Sequence, residues 1–84
     1  MTGTPSIHPG MQRWTTILDG GRLQELRRER GLSQEQLATV AGISLTTMRR
    51  LERQPAAPCR SRALGRLAAA LDEEPTCLTP AKPP

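Results

Sequence analysis

The chain has 84 residues, a net charge of +4 and one aromatic residue, Trp14. That length allows one small domain with a modest core. With aromatic and β-branched residues scarce, the core must come from Leu, Ile, Val, Met and Ala, which helices pack well.

Eleven of the twelve cations are Arg. A small basic protein is drawn to polyanions, nucleic acid above all, although +4 could serve solubility alone. Position has to decide between the two. Cys59 and Cys77 form no Cys-x-x-Cys and have no nearby His, so no metal and no cofactor is expected. No signal-type apolar segment and no long apolar run is present, so the expectation is a cytoplasmic protein with free thiols and no membrane partner.

In chain order, residues 1–10 carry Gly, Pro, Ser and Thr with little to bury. "MQRWTTIL", 11–18, has strand propensity, but one strand is not stable alone. If it orders, it must lie on the helical body or pair with a second copy. Residues 1–18 are therefore read as a flexible tail or arm, 19–78 as the domain, and 79–84 as a C-terminal tail.

Asp19 is a good N-cap for a first helix reaching Arg30, with Leu23 and Leu26 inward and Gly31 as its left-handed stop. Ser33 and Gln36 make a Ser-x-x-Gln capping box for a second helix. Gly42 ends that helix, and Ser44 caps a third over about 44–53. Such a short turn makes the second and third helices cross steeply.

Pro55 and Pro58 read as a loop. A fourth helix starts near Ser61, with Leu64, Leu67, Ala68 and Leu71 at helical spacing. Glu74-Pro75 opens a last short helix ending at Leu78.

The third helix carries the functional signal. Met48 and Leu51 fall on one face, while Thr46, Thr47, Arg49, Arg50 and Arg53 crowd the rest around a single carboxylate, Glu52. A helix that only had to fold has no need of so many forked cations.

The run "LQELRRERGLSQEQLATVAGISLTTMRRLER", with "RGLSQEQLA", "AGIS" and "LER" at its heart, resembles the lambda-repressor-like, Cro/XRE-type helix-turn-helix family. The resemblance spans about 18–78. It implies an all-α, compact five-helix domain whose third helix enters the DNA major groove. By that match Leu45, Thr46, Arg49 and Arg50 stand where side chains face base edges: Arg can fork onto guanine, and Thr or Leu can meet a thymine methyl. Ser44 and Thr47 stand nearer phosphate. Gln34, at the start of the second helix, matches a phosphate-binding glutamine. Arg27 and Glu52 match a pair that bridges the first and third helices in relatives.

The sequence departs from the pattern at Gln54, where relatives usually have Gly. The following loop is about one residue longer than theirs. Arg60 and Arg62 are the phosphate candidates there. Arg22, Arg28 and Arg66 read as solvated helix charges, and Trp14 as a packing anchor.

The resulting expectation is a sequence-specific, double-stranded-DNA-binding transcriptional regulator, a repressor acting as a homodimer. The alternative is a protein-interaction module, such as an antitoxin or a partner-binding regulator. An enzyme is not expected, because no catalytic constellation or phosphate loop appears. RNA binding lacks its aromatic platforms.

Overall fold

The structure, a computed structural model, describes residues 15–80. Their order is strand β1 (Thr15–Leu18), helix α1 (Gly20–Glu29), helix α2 (Gln34–Ala41), helix α3 (Leu45–Arg53), strand β2 (Ala57–Arg60), helix α4 (Ser61–Ala70) and a 3₁₀ turn (Pro75–Leu78).

The helix ends follow local chemistry. The Asp19 carboxylate accepts from the Arg22 N–H at 3.1 Å. Ser33 and Gln36 close both halves of the capping box, at 3.0 and 2.8 Å. Gly42 takes φ +74°, a conformation glycine enters without a Cβ clash, and its N–H returns to Thr39 O. The chain can therefore leave α2 and start α3 within three residues.

Two expectations are corrected. The described residues form four α-helices, not five. The last element is a single 3₁₀ turn: only four residues separate Glu74 from Thr79, and Glu74 gives no side-chain cap at its start. The second correction is that the fold is not purely helical: part of the segment read as a loop is β2, which pairs antiparallel with β1.

The register sets Leu18 against Ala57, Ile17 against Pro58, Thr16 against Cys59 and Thr15 against Arg60. Burial alternates accordingly. Leu18, Ala57 and Cys59 face the core, whereas Ile17, Pro58 and Arg60 are exposed. Pro58 has no N–H to give a ladder, and an exposed position on a two-stranded ribbon tolerates it. The arm's last four residues thus pair within their own chain. Trp14, the rest of the expected arm and residues 81–84 lie outside the described residues.

The core is aliphatic. Leu18, Leu23, Leu37, Met48, Leu51, Leu67, Leu71 and Leu78 are fully enclosed. Each such side chain contributes about 1.5–3 kcal/mol by leaving water. Met48 and Leu51 pin the inner side of α3. The outer side is fixed in space by default, because a helix cannot rotate without lifting both from the core.

Candidate nucleic-acid interface

Glu52 lies on the inner side of α3 and organises a polar junction. Arg27 of α1 grips it with two bonds, Nε to Oε2 at 2.5 Å and Nη2 to Oε1 at 3.0 Å. Gln34 of α2 donates to Oε1 at 3.0 Å, and Gln24 of α1 does so at 3.5 Å. Arg27 also donates Nη1 to the Leu32 carbonyl at 2.8 Å, holding the α1–α2 connection. Only 2% of the Glu52 side chain and 10% of the Arg27 side chain reach solvent. Three helices are therefore tied to one carboxylate. No buried side-chain polar atom among the described residues lacks a partner.

The outer side of α3 is different. Thr46, Arg49, Arg50 and Arg53 are exposed. Arg49 and Arg53 have no hydrogen-bond or ion-pair partner among the described residues. Together with Gln24, Gln34 and Glu52 they line a shallow cleft of about 260 Å³. Arg50 donates Nη1 to the Pro58 carbonyl of β2 at 3.0 Å. Its charge also faces Cys59, whose thiol is pushed above its ordinary pKa by burial, an effect that the nearby guanidinium partly offsets.

The remaining candidates stand at the starts of α2, α3 and α4. The Ser44 hydroxyl donates to Thr47 Oγ1 at 2.9 Å and accepts the Thr47 N–H at 3.1 Å, so both hydroxyls serve the start of α3. Leu45 is half-buried and packs on the core. Gln34 has one amide hydrogen committed to Glu52, and its amide nitrogen carries a second. Arg60 and Arg62 are exposed at the beginning of α4.

Three contributors to the geometry were not singled out from sequence. Gln24 donates to Glu52 from α1. Pro58 contributes through its backbone, which leaves no side-chain signal. At Gly20, a Cβ would overlap the Leu51 and Gln54 carbonyl oxygens. The Gly20 N–H donates to Gln54 O at 3.0 Å, so α1 starts directly against the end of α3. This contact satisfies the carbonyl at the C-terminal end of α3.

A model of the helix-turn-helix domain matches residues 20–78, which include both the polar junction and the exposed face of α3. The chain belongs to the XRE/Cro-type helix-turn-helix family. Among solved structures, this helix-turn-helix protein is similar to the restriction-modification controller protein C.AhdI from Aeromonas hydrophila. The two are 40% identical with a TM-score of 0.64, over 69% of this chain and 86% of that one. No curated protein matches it. No helix among its described residues is long and apolar enough to cross a membrane.

Proposed function

We propose that this protein is a sequence-specific double-stranded-DNA-binding transcriptional regulator that places α3 in the major groove. The observation that carries the reading is the division of α3: Met48, Leu51 and Glu52 are buried, and Thr46, Arg49 and Arg50 are exposed on the other side. Arg49 and Arg50 then read guanine edges, with Thr46 beside them. The second amide hydrogen of Gln34, the Thr47 hydroxyl, the Ser44 hydroxyl once it turns from Thr47 Oγ1, and Arg60 and Arg62 meet phosphate oxygens. Leu45 offers only the part of its side chain that the core leaves uncovered.

The protein acts as a dimer on a palindromic site, since one domain touches too few bases for useful specificity. A dimer seated on a promoter excludes polymerase, which makes the default action repression. The likeness to a restriction-modification controller extends the reading to the control of genes of that kind.

Selection of bound sequences from a random duplex library tests the proposal. The expected product is a two-fold symmetric site, bound with a steep salt dependence that reflects neutralisation of roughly 3 to 6 phosphates per domain. Arg49→Ala and Arg50→Ala should each cost about 1–3 kcal/mol of specific binding and relax one base position. A flat salt response together with no enriched sequence would sink the reading.

One observation favours the interaction-module reading: Val40 is 65% exposed beside Ala41, Ala69 and Ala70. A stable stoichiometric protein complex, formed without any duplex affinity and lost in Val40→Glu, would select that reading instead.

A further inference from the structure

We propose that the β1–β2 ribbon is a positioning element for base recognition: the Pro58 carbonyl holds the Arg50 guanidinium ready and so sets discrimination at the base pair Arg50 reads. This inference rests on the reading of α3 as the DNA-reading helix.

Two exposed arginines, adjacent on α3, differ in one respect. Arg49 has no partner among the described residues, whereas Arg50 donates Nη1 to Pro58 O at 3.0 Å. An arginine in water keeps many rotamers, and fixing one on binding costs affinity. A guanidinium has five N–H donors. One bond to a carbonyl leaves four, and a guanine N7/O6 edge needs two of them. The contact can therefore restrict Arg50 without using up the forked edge.

The acceptor is itself well held. Proline fixes its own φ. Pro58 stands opposite Ile17, between Ala57 at 0% and Cys59 at 7% exposure, both anchored in the core. Leu18, paired with Ala57, is also fully buried. Upstream, the Gln54 carbonyl is tied to Gly20 N–H at 3.0 Å, which fixes where the chain leaves α3 for β2. Strand β1 therefore influences DNA recognition by holding β2, even if none of its own residues touches the duplex.

The test measures binding of the full chain to its selected duplex and to each single-base-pair variant of it. Arg50→Ala first identifies the base pair that Arg50 reads. Pro58→Gly keeps the carbonyl but frees the backbone, and Ile17→Gly loosens the strand opposite. Both should lower discrimination at that base pair by about twofold to tenfold and leave the position read by Arg49 unchanged. Unchanged discrimination overturns the inference while leaving the DNA-binding reading intact. Increased discrimination overturns it too, since Pro58 would then be withholding Arg50 from the DNA. An equal loss at every position would show general loosening, and an Arg50→Ala that relaxes no position would show that Arg50 does not read a base; either overturns it. A wild-type chain with no sequence preference removes both the inference and the reading beneath it.

Should both glycine variants fail to fold, nuclear relaxation on the unaltered free protein decides. The Arg50 Nε–Hε order parameter should exceed those of Arg49 and Arg53. Equal values would overturn the inference.

Discussion

Arg27, in the last turn of α1, and Arg30, the residue just past its end, stand one turn apart, and each joins a glutamate and a backbone carbonyl from elsewhere in the chain. Arg27 takes Glu52 of α3 and the Leu32 carbonyl. Arg30 takes Glu73, at 2.7 Å, and the Leu71 carbonyl at the end of α4, at 2.6 and 3.0 Å. The difference between them is water. The side chains of the first pair are 10% and 2% exposed, and those of the second 35% and 27%. A sealed charge that loses its partner has nothing to turn to, whereas a wet one is solvated again at once. The inner pair therefore governs how α3 is seated, and the outer pair only fastens the end of α4.

Breaking the inner pair should have the largest effect. Glu52→Ala leaves the Arg27 cation buried without its carboxylate, whereas the amides of Gln24 and Gln34 can turn to water in the open cleft. The expected loss is about 3–5 kcal/mol in urea or thermal unfolding. Arg27→Met combined with Glu52→Leu should recover much of that loss, because an apolar pair of similar bulk carries no stranded charge. If the double variant proves as unstable as Glu52→Ala, the cost lies in packing, and the contrast between sealed and wet pairs fails.

Next in size is Gly20→Ala. The junction needs α1 to approach the end of α3 closely, and an added methyl meets backbone oxygens of Leu51 and Gln54 that cannot swing aside. Overpacking of this kind costs about 1–3 kcal/mol. Because the displaced element is the helix proposed to read DNA, specific DNA affinity at a temperature where the variant stays folded should fall as well. A variant that melts earlier yet binds its duplex normally would show that the seat of α3 depends on Glu52 without this contact.

The same contrast explains what could be read from sequence. Caps at Asp19, Ser33 and Ser44 and the turn at Gly42 are local signals, decided within three or four residues. The Arg27/Glu52 bridge spans 25 residues, and it was accessible only because both residues sit in a recurring motif. Arg30 and Glu73 are 43 residues apart with no motif around Glu73, and nothing in the sequence joins them. Strand β2 was hidden because Pro55 and Pro58 signal a loop. Its strand character comes from the partner, Thr15–Leu18, and from burial of Ala57 and Cys59. The inward and outward sides of α3 follow from residue type. The contact of Arg50 with a backbone carbonyl of β2 does not, since no side chain encodes it.

The smallest expected effect belongs to the outer pair, and its pH dependence sharpens the comparison. Hydrogen bonds from Arg30, then from Cys77, hold the Glu73 carboxyl below its ordinary pKa. A group whose folded-state pKa is depressed stabilises the fold above its unfolded pKa and loses that contribution as pH falls through the folded value. Glu73→Gln should therefore melt slightly earlier than the wild type at neutral pH, with the gap closing through the acid range below the ordinary glutamate pKa. High salt should shrink the gap at neutral pH, because exposed charges are screened. DNA affinity should not change at any pH at which both proteins are folded, since Glu73 touches neither α3 nor the ribbon. A salt-insensitive gap as large as that of Glu52→Ala would mean that pairing itself, and not exclusion from water, decides how much each glutamate matters.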